Sequence, residues 1–458
     1  MTSTFRIAEI EISETPVVLR MPFRFGVVTL RQCHQAHIRA RIETPDGRSA
    51  WGATAEMIVP KWFDKNPDLS DEQNYDQQRD VLRLARQAYL AETKPQTAFG
   101  HFVAHHDEHL RVSAQRGHNP LLANYGPALI DKALLDALCR LLGCSFYKAI
   151  QTNAVGMDTS HPAFAGMDWA PFLSSLQPAS RIHARHTVGM LDALTDQDIT
   201  EPVHDGLPET LQQVVQVYGH RYFKLKVGGR LQADIERLSA IAAVLDLIPD
   251  PYWVSLDGNE QYKSAAEFAE LLNAMRHTPA LSRLVSSILF IEQPIGRAHA
   301  LETDLSGPEI GLPVIVDESD GMLDAFVQAK AQGYSGISSK TCKGVYRSLL
   351  NAMRCQVWNV EAGRPRYFMS GEDLTVQAGL CLQQDLALVN LLGIRHVERN
   401  GHHYVNGLAA LSAAEQGRVL QAHPDLYEHS HGATRVRIRD GILSIASLDV
   451  VGFASAIF

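Results

Sequence analysis

Tyr222-Phe223-Lys224-Leu225-Lys226-Val227-Gly228 reads as a short apolar strand that closes in charge. Side chains alternate along a strand, so Lys224 and Lys226, two residues apart, point to one side. The same design recurs along the chain. WVSLDGN (253–259), ILFIEQP (288–294), PVIVDES (313–319), GISSKTC (336–342) and YFMSGED (367–373) are apolar runs ending in polar residues, each followed by helical spacing. HTVGM (186–190) precedes them, and an eighth strand is placed near Leu391 to Val397. One link shows how the alternation is written locally. Ser264 and Glu267 read as a capping box, and Phe268, Leu271, Leu272 and Met275 then stripe one helix face. Repetition of strand, loop and helix predicts an α/β fold, a (β/α)7-8 barrel of TIM type, and not an open doubly wound sheet. No G-x-G-x-x-G opens a helix, which removes the dinucleotide-binding reading.

Before the barrel, Arg6 to Ile12 and Ala36 to Ile42 alternate like half-buried antiparallel strands, with turn-rich Met21-Pro22-Phe23-Arg24-Phe25-Gly26 between them. From about Ser70 the spacing becomes helical. It is clearest over Ile130 to Leu142, with Pro127 suited to the first turn. The expected organisation is an α+β capping domain over residues 1–150 and a barrel over 185–407. Residues 408–458 return to the first domain through strand-like Thr434 to Val450.

A chain of 458 residues can bury two packed units, and its 45% hydrophobic and 20% charged composition is that of a globular protein. A net charge of −9 without a dense Lys/Arg run argues against a nucleic-acid partner. No signal peptide or bilayer-length apolar run is legible, so no membrane association and a cytoplasmic location are expected. The six cysteines form no C-x-x-C pair and read as buried thiols, while His105, His106 and His109 in AHHDEH read as a solvated helix face.

In such a barrel the working residues sit where strands end. Asp257, Glu292 and Asp317 end three successive strands and Lys340 the next. Three carboxylates converging there repel one another unless a cation intervenes, and an all-oxygen set suits Mg²⁺ first and Mn²⁺ second. Lysines facing each other across a bound carboxylate could serve as general base and general acid on opposite faces of its α-carbon. A nearby cation and other ammonium groups would push a lysine pKa down for that task.

K-x-K on one strand, Asp257-Gly258-Asn259, Glu292-Gln293-Pro294, Asp317-Glu318-Ser319 and Lys340, in that order, resemble the enolase superfamily, in particular the mandelate racemase/muconate lactonizing enzyme family and its muconate-lactonizing subgroup. MPFRFG is similar to that family's capping-domain loop, GATAEM to its second specificity loop and ALIDKALLDAL to its capping-domain helix. The resemblance implies Asp257, Glu292 and Asp317 as metal ligands and Lys226 and Lys340 as the acid/base pair. Lys224 would orient the substrate carboxylate and favour neutral Lys226. Where the mandelate-racemase subgroup carries a histidine this chain reads FMSGEDLT, which favours the lysine pair. Glu372, Asn259 and Phe25 are expected at the substrate. Segments around Lys61 to Gln77 and Asn153 to Arg185 are longer than the family's, so no substrate is transferred.

The expected function is Mg²⁺-dependent abstraction of the α-proton of a small-molecule carboxylate through an enediolate, with racemisation or epimerisation first. Dehydration and cycloisomerisation are alternatives within the superfamily. A Schiff-base aldolase built on Lys340 and a non-catalytic ligand-binding barrel are rivals outside it. The resemblance also implies a homo-oligomer.

Overall fold

The computed structural model describes residues 3–26, 28–307 and 309–456. Strands β1 (Arg6–Phe25), β2 (Val28–Glu43) and β3 (Ser49–Ile58) form an antiparallel sheet in that order. MPFRFG is therefore largely strand. Pairing resumes beyond an irregularity at Val18/Phe23, with Phe23 opposite Leu30 and Phe25 opposite Val28, and only Gly26 turns, at φ 51°. Helices α1 (Asp71–Ala91) and α3 (Pro120–Leu142) pack on the sheet, and α2 (Ala98–Gln115) packs on those two helices. Ser70 and Gln73 make a reciprocal capping box on α1.

Helix α3 begins ten residues before its expected start, capped by Asn119, so Pro127 lies inside it. Burial explains why that helix survives an internal proline, since nearly every side chain from Leu121 to Cys139 is buried. Gly52 of β3 lies directly against it, where a Cβ would come within 2.1 Å of the Ala137 nitrogen.

The AHHDEH expectation is overturned. His106 is 2% and His109 4% exposed, and burial holds the first at a pKa of about 3 and the second at about 4. His109 Nε2 is 2.9 Å from the Ala123 carbonyl. A polar helix sequence misleads here because α2 is covered on the histidine side by α3 and by the aromatic rings of His161, Phe164 and Tyr346.

Eight parallel strands follow: β4 (Arg181–Val188), β5 (Tyr222–Lys226), β6 (Trp253–Asp257), β7 (Ile288–Glu292), β8 (Val314–Val316), β9 (Gly336–Ser339), β10 (Phe368–Gly371) and β11 (His396–Glu398). They pair in sequence order and β11 pairs with β4, closing the barrel. Two expected strands shift. The first begins at Arg181, five residues before HTVGM, and the eighth is His396–Glu398, because Leu391 still belongs to the helix Leu380–Leu391. Helix Ala265–His277 buries Phe268, Leu271, Leu272 and Met275 as expected, but its box is altered: Ser264 caps the Glu267 amide, whereas the Glu267 carboxylate accepts from Lys263.

The carboxy-terminal segment splits. Tyr427–Ser430 and Ala433–Val436 form their own hairpin, and Ile442–Ser444 pairs antiparallel with the first residues of β4. Phe453 then stacks on Phe146 at 3.9 Å, beside the end of α3. All six cysteines are free, five of them buried and Cys144 partly so. No helix among the described residues is long and apolar enough to cross a membrane.

Candidate active site

Strand alternation fills the barrel in layers. Tyr222, Trp253 and His396 make a stacked aromatic floor, with ring centroids 5.0 and 4.6 Å apart. One level up lie Arg185, Lys224, Glu292, Glu372 and Glu398, all at most 2% exposed. Above them Lys226, Asp257, Asp317 and Lys340 line a cavity of about 30 Å³ together with Phe23, Phe25, Trp62, Asn259, Leu374 and Asn400. That is room for about one water, so the mouth is closed in this structure.

The positions of the lysines follow from topology. In a closed barrel of eight strands, β5 and β9 are four steps apart and therefore diametrically opposed. Lys226 ends β5, Lys340 follows β9, and the three acids come from β6, β7 and the end of β8 between them. Lys226 Nζ is 2.6 Å from Asp257 Oδ2, and Lys340 Nζ is 2.7 Å from Asp317 Oδ2. Each expected acid/base group thus rests on its own expected ligand.

Lys224 lies deeper. Its ammonium is 2.9 Å from Asp257, 2.7 Å from Glu292, 2.9 Å from Glu372 and 3.0 Å from Glu398. Burial alone would pull it down, but those four carboxylates outweigh burial and hold it well above the ordinary lysine range. Lys340 is likewise raised, its burial outweighed chiefly by Asp317. Both are raised because carboxylates are their nearest charged neighbours. Burial, then Asp257 and Glu372, push Glu292 well up, whereas Lys340, Lys343 and Lys224 together overcome burial and keep Asp317 well below the usual carboxylate range.

Glu372 is placed away from the substrate side. It is fully buried beneath the cavity, bonded to Arg185, Ser370 and Lys224, and does not line the opening. Asn259 and Phe25 do line it. The Asn259 amide donates to Asp257 Oδ1 at 2.8 Å, its φ is 40°, and its Oδ1 is buried without a partner.

Several residues here escape sequence reasoning. Arg185 sits before HTVGM. Glu398 accepts from Thr187, Lys224 and Asn400 at the end of a three-residue strand. Lys343, one helical turn beyond Lys340, bonds the Asp317 carbonyl at 2.7 Å and Ser338 at 2.6 Å. The segment after β3 closes the mouth. Arg297 donates to the carbonyls of Trp62 and Phe63, both at 2.8 Å, and Lys65 pairs with Glu260 and, at 3.3 Å, Glu318. Trp62 is thereby laid over the Lys340 ammonium, 4.2 Å from its ring centre.

The donor set fits a hard divalent cation. Asp257, Glu292 and Asp317 are at most 1% exposed and supply only oxygens, and Glu318 Oε2 beside them has no hydrogen-bond partner. Such a cation and the Lys224 ammonium would compete for the same Asp257 and Glu292 oxygens.

Comparison with known proteins bears on the family and the fold. The family model described as enolase C-terminal domain-like matches residues 206–447. An L-Ala-D/L-amino acid epimerase of Populus trichocarpa is 37% identical over 140 residues, 29% of this chain and 30% of that relative's length. A dipeptide epimerase from Enterococcus faecalis V583, complexed with Mg and the dipeptide L-Leu-L-Tyr, superposes with TM-score 0.60 at 15% identity, covering 98% of this chain and 99% of the other. A muconate lactonizing enzyme from Pseudomonas fluorescens, complexed with muconolactone, gives TM-score 0.57 at 18% identity over 99% and 96%. At these identities the two structures establish a shared fold.

Proposed function

Because this chain belongs to the enolase superfamily, as a member of its enolase C-terminal domain-like family, we propose that it moves the α-proton of a small-molecule carboxylate between two faces and so racemises or epimerises it. The observation that carries the reading is the opposition of Lys226 and Lys340 across one cavity, with three carboxylates between them. A substrate α-carbon between the two ammonium positions presents one face to each. One lysine, when neutral, takes the proton; the other, protonated, returns one from the far side. Asp257, Glu292 and Asp317 would hold Mg²⁺, which supplies Lewis-acid stabilisation of the charge that develops on the substrate carboxylate.

The remaining residues prepare this pair. Asp257 and Asp317 hold Lys226 and Lys340 by one short hydrogen bond each, which fixes two flexible side chains toward the reacting carbon. Lys343 and Ser338 brace Asp317 from behind. Arg185 and Glu372 form the buried base on which Lys224 rests, so Glu372 acts as a positioning residue below the substrate. Trp62, Phe23 and Phe25 close the cavity from the capping domain and exclude water. Substrate entry into so small a space requires the segment held by Arg297 and Lys65 to lift.

Dipeptides are the substrates to test first, since both the curated relative and the enterococcal structure are epimerases of amino-acid derivatives. Incubation in D₂O with Mg²⁺ and a set of dipeptides and N-acylated amino acids, followed by NMR, should show α-deuterium together with the second epimer. Deuterium without the epimer, but with loss of a β-substituent or ring opening, would move the reading to a dehydratase or cycloisomerase. Borohydride trapping of substrate on Lys340 would replace it by the aldolase reading.

A further inference from the structure

Outside the barrel bore, three histidines from distant parts of the sequence meet. Arg185 and Thr187 point into the barrel, so His186 between them projects from the outer face of β4. His220 precedes β5, and His402 lies on the short helix Gly401–Tyr404 after β11. Their ring centroids are 5.4, 6.0 and 5.8 Å apart, and one nitrogen from each lies within 4.8 Å of the other two. Among the described residues this is the one group of three or more His, Cys, Asp or Glu side chains that compact.

The nitrogens themselves point to a ligand. His186 is 2% and His220 1% exposed, yet His186 Nδ1, His220 Nε2 and both nitrogens of His402 are buried with no hydrogen-bond partner. Buried polar atoms are nearly always paired, so four orphans in one place need an explanation. His220 supplies part of it. Its Nδ1 lies 3.0 Å from the Ala184 carbonyl, an acceptor that fixes the proton on Nδ1 and leaves the Nε2 lone pair free. A carbonyl setting the tautomer of an imidazole in this way is how proteins orient metal-binding histidines.

We propose that His186, His220 and His402 form a second metal site, separate from the carboxylate set, that takes a borderline first-row cation of the zinc class. Neutral imidazoles without a carboxylate or thiolate suit zinc-class ions and not Mg²⁺, which requires oxygen ligands. Burial keeps all three rings neutral, with His220 held at a pKa of about 4. The surrounding charge sharpens the choice. Arg435 and Arg399 act on His402, Arg20 acts on His403, and Glu398 is the anion that acts on His186. Those arginines repel any dication, so only an ion whose coordination to nitrogen outweighs the repulsion would be held there. His403, whose Nδ1 is also unpartnered and whose ring is 5.0 Å from that of His186, stands nearest as a fourth donor. Tetrahedral coordination at ~2.0–2.1 Å puts ligand nitrogens roughly 3.3 Å apart, so from separations of up to 4.8 Å the nitrogens need to close by at most about 1.5 Å. The ion would join β4, the approach to β5 and the segment after β11, whose His403 carbonyl accepts from Arg20 of β1 at 2.9 Å. Its role is to brace the barrel wall and the capping hairpin, apart from the chemistry.

The test uses full-length protein stripped with a chelator and returned to excess Mg²⁺, then titrated with Zn²⁺ by calorimetry and with Co²⁺ by visible absorption. The expected result is one equivalent bound despite the Mg²⁺, a d–d spectrum of a nitrogen-rich four-coordinate site, and a Zn²⁺-dependent rise in Tm. His220→Gln and His402→Gln, each checked for fold by circular dichroism, should weaken that binding at least a hundredfold, and Glu292→Gln should leave it intact. His402 is only partly buried, so its variant serves if the His220 variant does not fold. No Zn²⁺ equivalent in the presence of Mg²⁺, or an equivalent lost with Glu292→Gln and kept with His402→Gln, would overturn the proposal.

Discussion

Inside the barrel Asp257 and Glu398 lie against the Lys224 ammonium, whereas in the capping domain Asp131 of α3, equally buried, has the Tyr89 hydroxyl at 2.9 Å as its hydrogen-bond partner. The outcome differs accordingly. Burial pushes Asp131 up to a pKa of about 8, so it is largely protonated near neutrality. Lys224, Lys226 and Lys340 overcome the same burial at Glu398 and keep it ionised. One arrangement avoids charge, and the other collects charge of both signs in a water-poor space, where proton transfer and anion stabilisation become cheap. Alternating acids and ammonium groups over the strand ends thus serve the reaction, while the neutral Asp131 serves packing.

The contrast can be broken from either side. The largest effect is expected inside the barrel: Lys226→Ala or Lys340→Ala should lower kcat for epimerisation by about 10³-fold, the scale of a lost general acid or base, with circular dichroism unchanged. Next, Glu292→Gln should weaken Mg²⁺ binding at least tenfold by calorimetry, since it removes one of three anionic donors.

In the capping domain the effect falls on stability. A folded pKa raised above the unfolded value means that Asp131 contributes most below about pH 4 and progressively less as pH rises toward 8. The loss is at most about 1.4 kcal/mol per pH unit. Asp131→Asn should flatten that slope, so its urea midpoint should gain on wild type between pH 5 and pH 7.5. An unchanged slope would show that Asp131 is ionised in the folded state. The smallest effect belongs to the closing segment: Arg297→Ala frees the Trp62 and Phe63 carbonyls and should raise KM several-fold with little change in kcat.

The same contrast explains what the sequence discloses. Lys226, Asp257, Glu292, Asp317 and Lys340 are legible because each interrupts an apolar run at a strand end, where the barrel fold has no structural need of charge. Beneath them, Arg185 and Glu398 are not legible. They lie on the two strands whose bounds differ from the expected ones. The depth of Glu372 depends on the partner Arg185, which no local pattern reveals. Helix α2 looked solvated because its histidines carry the polarity of a surface while occupying a core, and Pro127 looked like a helix start because tertiary burial overrides local propensity. The His186, His220 and His402 cluster draws on residues spread over more than two hundred positions and leaves no motif.

The proposed chemistry has two lysines serve opposite faces of one α-carbon. Its most direct test is α-hydrogen exchange in D₂O, measured separately from each epimer of a turned-over substrate in wild type, Lys226→Ala and Lys340→Ala. Wild type should exchange both epimers, and each variant should retain exchange from one epimer only, the two variants retaining opposite ones. Loss of exchange from both epimers in one variant, with full exchange from both in the other, would mean that a single base does the chemistry and would contradict the account.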